Sequence, residues 1–257
     1  MRKFLFLLPL LLVVATSFVL RQESFPQLEN QKETAFKPGE ELRYRLRYGF
    51  ITAAEATLNV YDSPEKFDDR PVYHLVAQGK TAAAFNIFYK VRNRYDSYVD
   101  RSRLVPYLYT ENIREANYRR VDKVRFYQDQ QKVVGRKGTF RGREKTFDLV
   151  SAFYFARSLD LGGVRPGSRF VIPYFLDDEV ADLTITYVGK EKVKTSIGTF
   201  NCLKFNPSIK PGRIFRKDSK LYLWITDDRN RIPVKAQVEI LVGSVTLEIT
   251  AAQGLKY

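Results

Sequence analysis

The sequence is poor in the residues that most enzymes and metal proteins lean on. It holds one cysteine, one histidine, one methionine and one tryptophan in 257 residues. A single thiol excludes an internal disulfide, the usual brace of small exported domains. A single histidine leaves His74 as the only imidazole for Ser–His–Asp or Cys–His catalysis. It sits inside the strand-like run 72–76 (VYHLV), a poor position for an exposed base. No G-x-S-x-G, H-E-x-x-H, C-x-x-C, phosphate-binding or dinucleotide loop occurs. Cys202, in the run TFNCLKF, reads as a small buried hydrophobe rather than a nucleophile.

Acidic clusters are also scarce. The densest, Asp177, Asp178, Glu179 and Asp182, lacks the Asp-x-Asp-x-Asp-Gly ladder and trailing Glu of a calcium loop, so it reads as a polar turn. Paired carboxylates for glycoside hydrolysis are set by folding, and the sequence singles none out. No metal, cofactor or catalytic residue is expected. No repeat, low-complexity tract or linker divides the chain.

What is abundant is aromatic residues, 16 Tyr and 19 Phe, and positive charge, +14 overall. Aromatic wealth suits sheets. The N-terminus sets the context for the charge. Arg2 and Lys3 precede an apolar run over residues 4–14, and Ala15, Thr16 and Ser17 are small residues that a signal peptidase accepts. The apolar stretch reaches at most residue 20, short for a membrane span, and no cysteine follows it to carry a lipid. The expectation is a signal peptide over 1–17, a loosely ordered lead-in over 18–37 and one β-rich domain over 38–257 in the periplasm. Without its leader the chain stays basic. Export sets nucleic acid aside as the partner and points to anionic lipid, glycolipid or polysaccharide, or to another envelope protein.

Residues 41–62 organise the rest. Leu42, Tyr44, Leu46 and Tyr48 alternate with Arg43, Arg45 and Arg47, the period-2 pattern of a half-buried strand. Gly49 breaks the run, and Ala54, Ala56, Leu58 and Val60 alternate again, so the two runs read as a hairpin. Residues 63–70 read as a loop, 71–80 as a strand, 81–89 as a short bend, and 91–100, 106–113 and 123–128 as strands. Residues 115–122 read as a charged turn and the basic, Gly-punctuated 132–146 as an exposed hairpin tip or long loop. Residues 148–159 (DLVSAFYFARSL) are the clearest helix, with Asp148 as its cap. Strands follow at 169–175, 181–193, 199–206, 220–226, 232–241 and 244–250. The fold expected is all-β, a strongly curved antiparallel sheet or open barrel with one main helix against its concave side.

Three like charges on one strand face repel unless solvent, counterions or an anionic partner offsets them. The row Arg43, Arg45, Arg47 is therefore either a solvated outer face or a ligand-facing one. The aromatics fill a core, unless the curved sheet is left with an apolar cavity of the kind open barrels use for lipids.

The runs 39–44 (GEELRY), Tyr48-Gly49, 95–100 (YDSYVD), 148–157, 198–200 (GTF), 223–228 (LWITDD), 231–234 (RIPV) and 242–245 (VGSV) resemble an uncharacterised bacterial family, number 3108 among the domains of unknown function. The resemblance spans roughly residues 38–250. It implies an exported, predominantly β envelope protein with no established activity. Among the matched positions, Arg157, Trp224 and Asp228 are the polar or amphipathic ones singled out for a role in binding, beside Arg43, Tyr44 and Arg45.

The functional expectation is a non-enzymatic periplasmic binding or envelope-maintenance protein for an anionic amphiphile. The alternatives are a scaffold that pairs with another envelope protein through exposed strand edges, and a hydrolase of envelope glycans or lipids.

Overall fold

The computed structural model describes residues 33–86, 89–208, 220–239 and 243–257. The expected signal peptide and most of the lead-in lie outside the described residues.

The first half contributes β1 (Glu41–Tyr48), β2 (Ile51–Phe67), β3 (Arg70–Thr81), β4 (Arg92–Asp100), β5 (Pro106–Glu115), β6 (Tyr118–Tyr127), β7 (Lys132–Gly135) and β8 (Gly138–Arg141). Helix α1 (Leu149–Arg157) follows. The second half contributes β9 (Arg169–Leu176), β10 (Glu179–Thr195), β11 (Gly198–Pro207), β12 (Leu221–Thr226), β13 (Pro233–Glu239) and β14 (Ser244–Gln253).

Two expected turns are shorter than the sequence implied. The 63–70 loop is mostly strand. β2 runs on to Phe67, and the chain reverses at Asp68 and Asp69, with φ of 50° and 60°. That pair of left-handed residues is what a tight hairpin twisted like its strands requires. The 115–122 turn shrinks to Ala116 and Asn117, and β6 begins at Tyr118. Its charges hide the alternation, because Arg119 and Lys123 face out while Asp122, Val124 and Phe126 are buried. The basic 132–146 stretch holds the β7–β8 hairpin, as expected.

The fourteen strands among the described residues form one antiparallel sheet, in the order β8-β7-β6-β5-β4-β3-β2-β1-β14-β13-β12-β11-β10-β9. The chain meanders outward from the centre in both directions, and the first and last strands pair there, with Tyr44 opposite Ile249. β1 is bulged against both neighbours, and bulges sharpen local twist. The curl is visible in the core. One apolar cluster draws Val60 and Leu75 from one wing and Phe170, Tyr187 and Leu203 from the other around Val150, Tyr154 and Phe155 of α1. The sheet therefore wraps its helix on the concave side.

The outermost strands, β8 and β9, do not pair, so the sheet stays open. Side chains bridge the gap. Lys137 reaches Asp178 at 3.2 Å, Arg143 reaches Asp182 at 2.6 Å and Arg120 reaches Asp177 at 3.0 Å. The Phe175 ring packs on Phe126 and Phe140. Just before α1, Phe147 exchanges backbone hydrogen bonds with Pro173 and Phe175 at 3.0 and 2.7 Å. The acidic group of the sequence is thus largely the ionic side of a seam.

Asp148 caps α1 as expected. Its Oδ1 accepts from the Val150 and Ser151 backbone N–H groups at 2.8 and 2.9 Å, and Ser151 Oγ accepts from the Asp148 N–H. Its Oδ2 accepts from Ser97 Oγ at 2.7 Å, tying the helix start to β4. The last residues of the lead-in are ordered, contrary to expectation. Phe36 is 1% exposed and lies edge-on to Tyr73 and Tyr154 at 5.4 and 4.8 Å. Burying its ring contributes about 1.5–3 kcal/mol toward the cost of ordering the segment, roughly 1–2 kcal/mol per residue.

Candidate functional site

Alternation places two different concavities on the same strands. On the inner face Leu42, Leu58, Ala77 and Tyr95 stand in one cross-strand row. Next to it Tyr44 stands opposite Ala56, and Ala56 opposite Gly79. Three alanines (Ala56, Ala77, Ala236) line one space beside the helix. The space they leave is a cavity of about 640 Å³, lined by these residues with Tyr44, Leu58, Tyr95, Tyr109, Leu223 and Leu247 from the sheet and Leu149, Val150 and Phe153 from α1. The concave side is therefore not packed solid. Its size lies within the range of sites that bury a small organic ligand, roughly 300–1,000 Å³.

Few polar groups reach this lining. At one side Arg120 Nε lies 2.6 Å from Glu111 Oε1, and Arg120 also holds Asp177. Tyr109 donates to Glu111 Oε2 at 3.1 Å. Burial raises the Glu111 carboxyl above its ordinary range, although Arg120 and Tyr109 oppose the shift. Burial likewise raises the Tyr109 hydroxyl. At the other side stands Lys235, whose ammonium lies 4.8 Å from the Trp224 ring centre and, after Lys204, helps hold the Glu191 carboxyl below its ordinary range. Tyr44 is 3% exposed, and its hydroxyl has no hydrogen-bond partner among the described residues.

The outer face of β1 to β5 carries the second concavity, about 780 Å³. The cross-strand row Arg43, Thr57, Gln78, Arg94, Asn112 runs beside the row Arg45, Glu55, Lys80, Arg92. Arg43 and Arg45 thus do not rim the apolar cavity. They open onto the opposite side of the sheet, and Tyr44 between them turns inward.

The other expected site residues are dispersed. Arg157 is 2% exposed. Its guanidinium donates to both Glu40 carboxylate oxygens at 2.6 and 2.9 Å and to the Arg231 and Asn230 carbonyls at 3.2 and 2.9 Å. This bidentate pair is committed to the fold, fastening the end of α1 to the start of β1 and to the turn before β13. Trp224 is 4% exposed in a second apolar cluster with Leu42, Cys202 and Val234, and the ammonium groups of Lys204 and Lys235 cover its ring. Its neighbour Leu223, one residue away and on the other face, lines the cavity instead. Asp228 Oδ1 accepts from Thr226 Oγ1 and from the Asn230 and Arg231 N–H groups at 2.7, 3.0 and 3.0 Å, which shapes the β12–β13 turn. Sequence reasoning missed Ala56, Ala77, Ala236 and Lys235. Small residues at inward positions of 41–62 were in view, but nothing marked them as one wall.

The residues that catalysis would need stand apart. His74 Nε2 lies 2.7 Å from Asp96 and stacks on Tyr98 at 4.5 Å on the outer face. Burial pushes the Asp96 carboxyl up, but hydrogen bonds from His74 and Arg94 outweigh it and hold the group below its ordinary range. Burial pushes the Cys202 thiol up to about 11, which keeps it protonated at neutral pH. Among the described residues no three His, Cys, Asp or Glu gather as a metal site, and no helix is long and apolar enough to cross a membrane.

Residues 43–250 match the family described as "Protein of unknown function (DUF3108)", and the chain belongs to that family. No curated protein matches it. Among solved structures it is similar to a β-barrel-like protein of the domain of unknown function DUF1849 from Brucella abortus, with a TM-score of 0.55, 9% identity, and coverage of 86% of this chain and 99% of the other. That likeness establishes a shared β-barrel-like fold. A Bacteroides fragilis protein with a YmcC-like fold matches at a TM-score of 0.38 and 13% identity, covering 86% of this chain and 100% of the other.

Proposed function

We propose that this protein is a non-enzymatic binding protein of the periplasm that holds an anionic amphiphile, a lipid or glycolipid, with its apolar part in the cavity between α1 and the sheet. The observation that carries the reading is that cavity: about 640 Å³, walled by alanines, tyrosines and aliphatic side chains, and left unfilled in a chain rich in aromatics. Leaving apolar surface uncovered forgoes stabilisation of about 25 cal/mol per Å², a loss that a bound apolar chain recovers. The long side chain of Lys235, at the edge of the lining, can turn its ammonium from the Trp224 ring to an anionic headgroup; Tyr44 offers a hydroxyl. The scaffold alternative needs a free strand edge, whereas β8 and β9 cover each other across the seam. The hydrolase alternative has a raised-pKa carboxyl in Glu111 but no nucleophile beside it.

Native mass spectrometry of the purified protein, before and after organic extraction, tests the reading. It expects an adduct of lipid mass that extraction removes and a long-chain anionic amphiphile restores. A protein that carries no adduct, and whose melting temperature no such amphiphile shifts, sinks the proposal.

A further inference from the structure

The second concavity, about 780 Å³ on the outer face of β1 to β5, is not used by the cavity reading and does not depend on it. Six cations line it, against the carboxylates of Glu41 and Glu55. Three of the six are neutralised locally: Arg43 by Glu41, Lys80 by Glu55, and Arg94 by Asp96. The remaining three, Arg45, Arg92 and Arg114, have no carboxylate partner among the described residues, and all three are exposed. Arg92 donates to Asn86 Oδ1 and the Val91 carbonyl, and Arg114 to Asn112 Oδ1, so local bonds to neutral acceptors hold both heads in place. Guanidiniums held this way are prepared for planar, two-pronged recognition of carboxylate or phosphate. Between them stand neutral donors and acceptors (Gln78, Asn93, Asn112) of the kind that bind sugar hydroxyls.

From this arrangement we infer that the outer hollow binds an acidic oligosaccharide, its carboxylate or phosphate groups on Arg45, Arg92 and Arg114 and its hydroxyls on the intervening amides. Charge and size choose the occupant: three cations without a carboxylate call for several anionic groups, and a single inorganic anion leaves most of the volume empty, at about 30 Å³ per water-sized unit. An extended, hydroxylated polyanion fills it.

The test is calorimetric titration of the full mature chain with an oligogalacturonate, a polyanion whose charges are all carboxylates. The variant R45Q/R92Q/R114Q removes three charges from the hollow. The control K123Q/K192Q/K194Q removes three exposed charges elsewhere. The hollow variant is expected to weaken binding by more than about tenfold, as loss of charge-assisted hydrogen bonds predicts, and the control to leave it within about twofold. R114Q alone, at the end of the hollow, is expected to show part of the loss and serves if the triple variant does not fold. Equal weakening by hollow and control variants means bulk charge alone attracts the sugar, and overturns the inference. So does a hollow variant that binds normally. Tighter binding of phosphatidylglycerol vesicles than of the oligosaccharide, lost in the same variant, would make this face a membrane-docking surface instead. The cavity variants described below leave sugar binding unchanged, so failure here and failure of the cavity reading are distinguishable.

Discussion

The two faces of β1 to β5 share a backbone and differ in almost everything else. Facing in, Tyr44, Ala56, Leu58, Ala77 and Tyr95 leave an apolar space against the helix. Facing out, Arg43, Arg45, Gln78, Lys80 and Arg94 surround a basic hollow. Side chains change face at every residue of a strand, so one curved sheet can present an oily and an ionic concavity back to back without spending a separate domain on either. Tyr44 and Ala56 belong to the wall between them. The comparison teaches that the arginine row and the aromatic wealth of this chain serve different surfaces, although they are adjacent in sequence.

The strongest way to break the comparison is to remove what holds both faces. Glu40→Gln leaves the Arg157 guanidinium buried without its counter-charge. Loss of one partner of a buried pair costs about 3–5 kcal/mol. Urea unfolding should show a loss of that size, with cavity and hollow failing together. A loss below about 1 kcal/mol would mean the pair is not the clasp described here.

A cavity-specific change comes next. Ala77→Trp fills space beside Tyr95 and should abolish uptake of a fluorescent long-chain fatty acid. Overpacking costs roughly 1–3 kcal/mol where side chains must shift, and the unfilled space keeps it at the low end. Titration of the same variant with oligogalacturonate should be indistinguishable from wild type.

Asp100 provides a change that touches neither surface. Burial pushes its carboxyl up, but N–H groups of Ser102 and Arg103 and the hydroxyls of Ser102 and Tyr107 outweigh this and hold it below its ordinary range. A carboxyl lowered in the folded state adds stability above its unfolded pKa, about 3.9, and that contribution disappears as pH falls through the folded value. Asp100→Asn should therefore lose roughly 1–3 kcal/mol at pH 7. The gap to wild type should close below about pH 4, measured by thermal unfolding across pH. Titrations of the cavity and of the hollow should be unaffected at neutral pH.

The smallest effect sharpens the inner face alone. Lys235→Gln should lower affinity for an anionic amphiphile by a few-fold and leave a neutral one of equal chain length unchanged, since a partly exposed charge contributes up to about 1 kcal/mol. Equal loss for both ligands would move the headgroup elsewhere.

Much of the fold was legible because period 2 survives in the sequence. Residues 42–48 alternate without exception, and Asp148 announces the helix. The 118–122 segment was misread because its solvent face and its seam-facing residues are both charged, which masks the alternation. Phe36 was read into a loose lead-in because its partners Tyr73 and Tyr154 are far away in sequence. The sites were less legible for the same reason. The Glu40–Arg157 pair joins residues 117 apart, so the sequence marks Arg157 only as a polar position with a role in binding. β12 is apolar on both faces, and nothing local says that Leu223 rather than Trp224 turns toward the cavity. The cavity itself is made by small residues on strands that meet only after folding, and an alanine carries no mark of the space it leaves.

The central claim is that the space behind Ala77 receives an apolar chain. Titration of the wild-type protein and of A77W with an environment-sensitive fatty acid tests it most directly. Saturable binding to wild type with a blue-shifted emission, and no binding to a folded A77W, are expected. Wild type that leaves the probe in water, or an A77W that binds as wild type does, would contradict it.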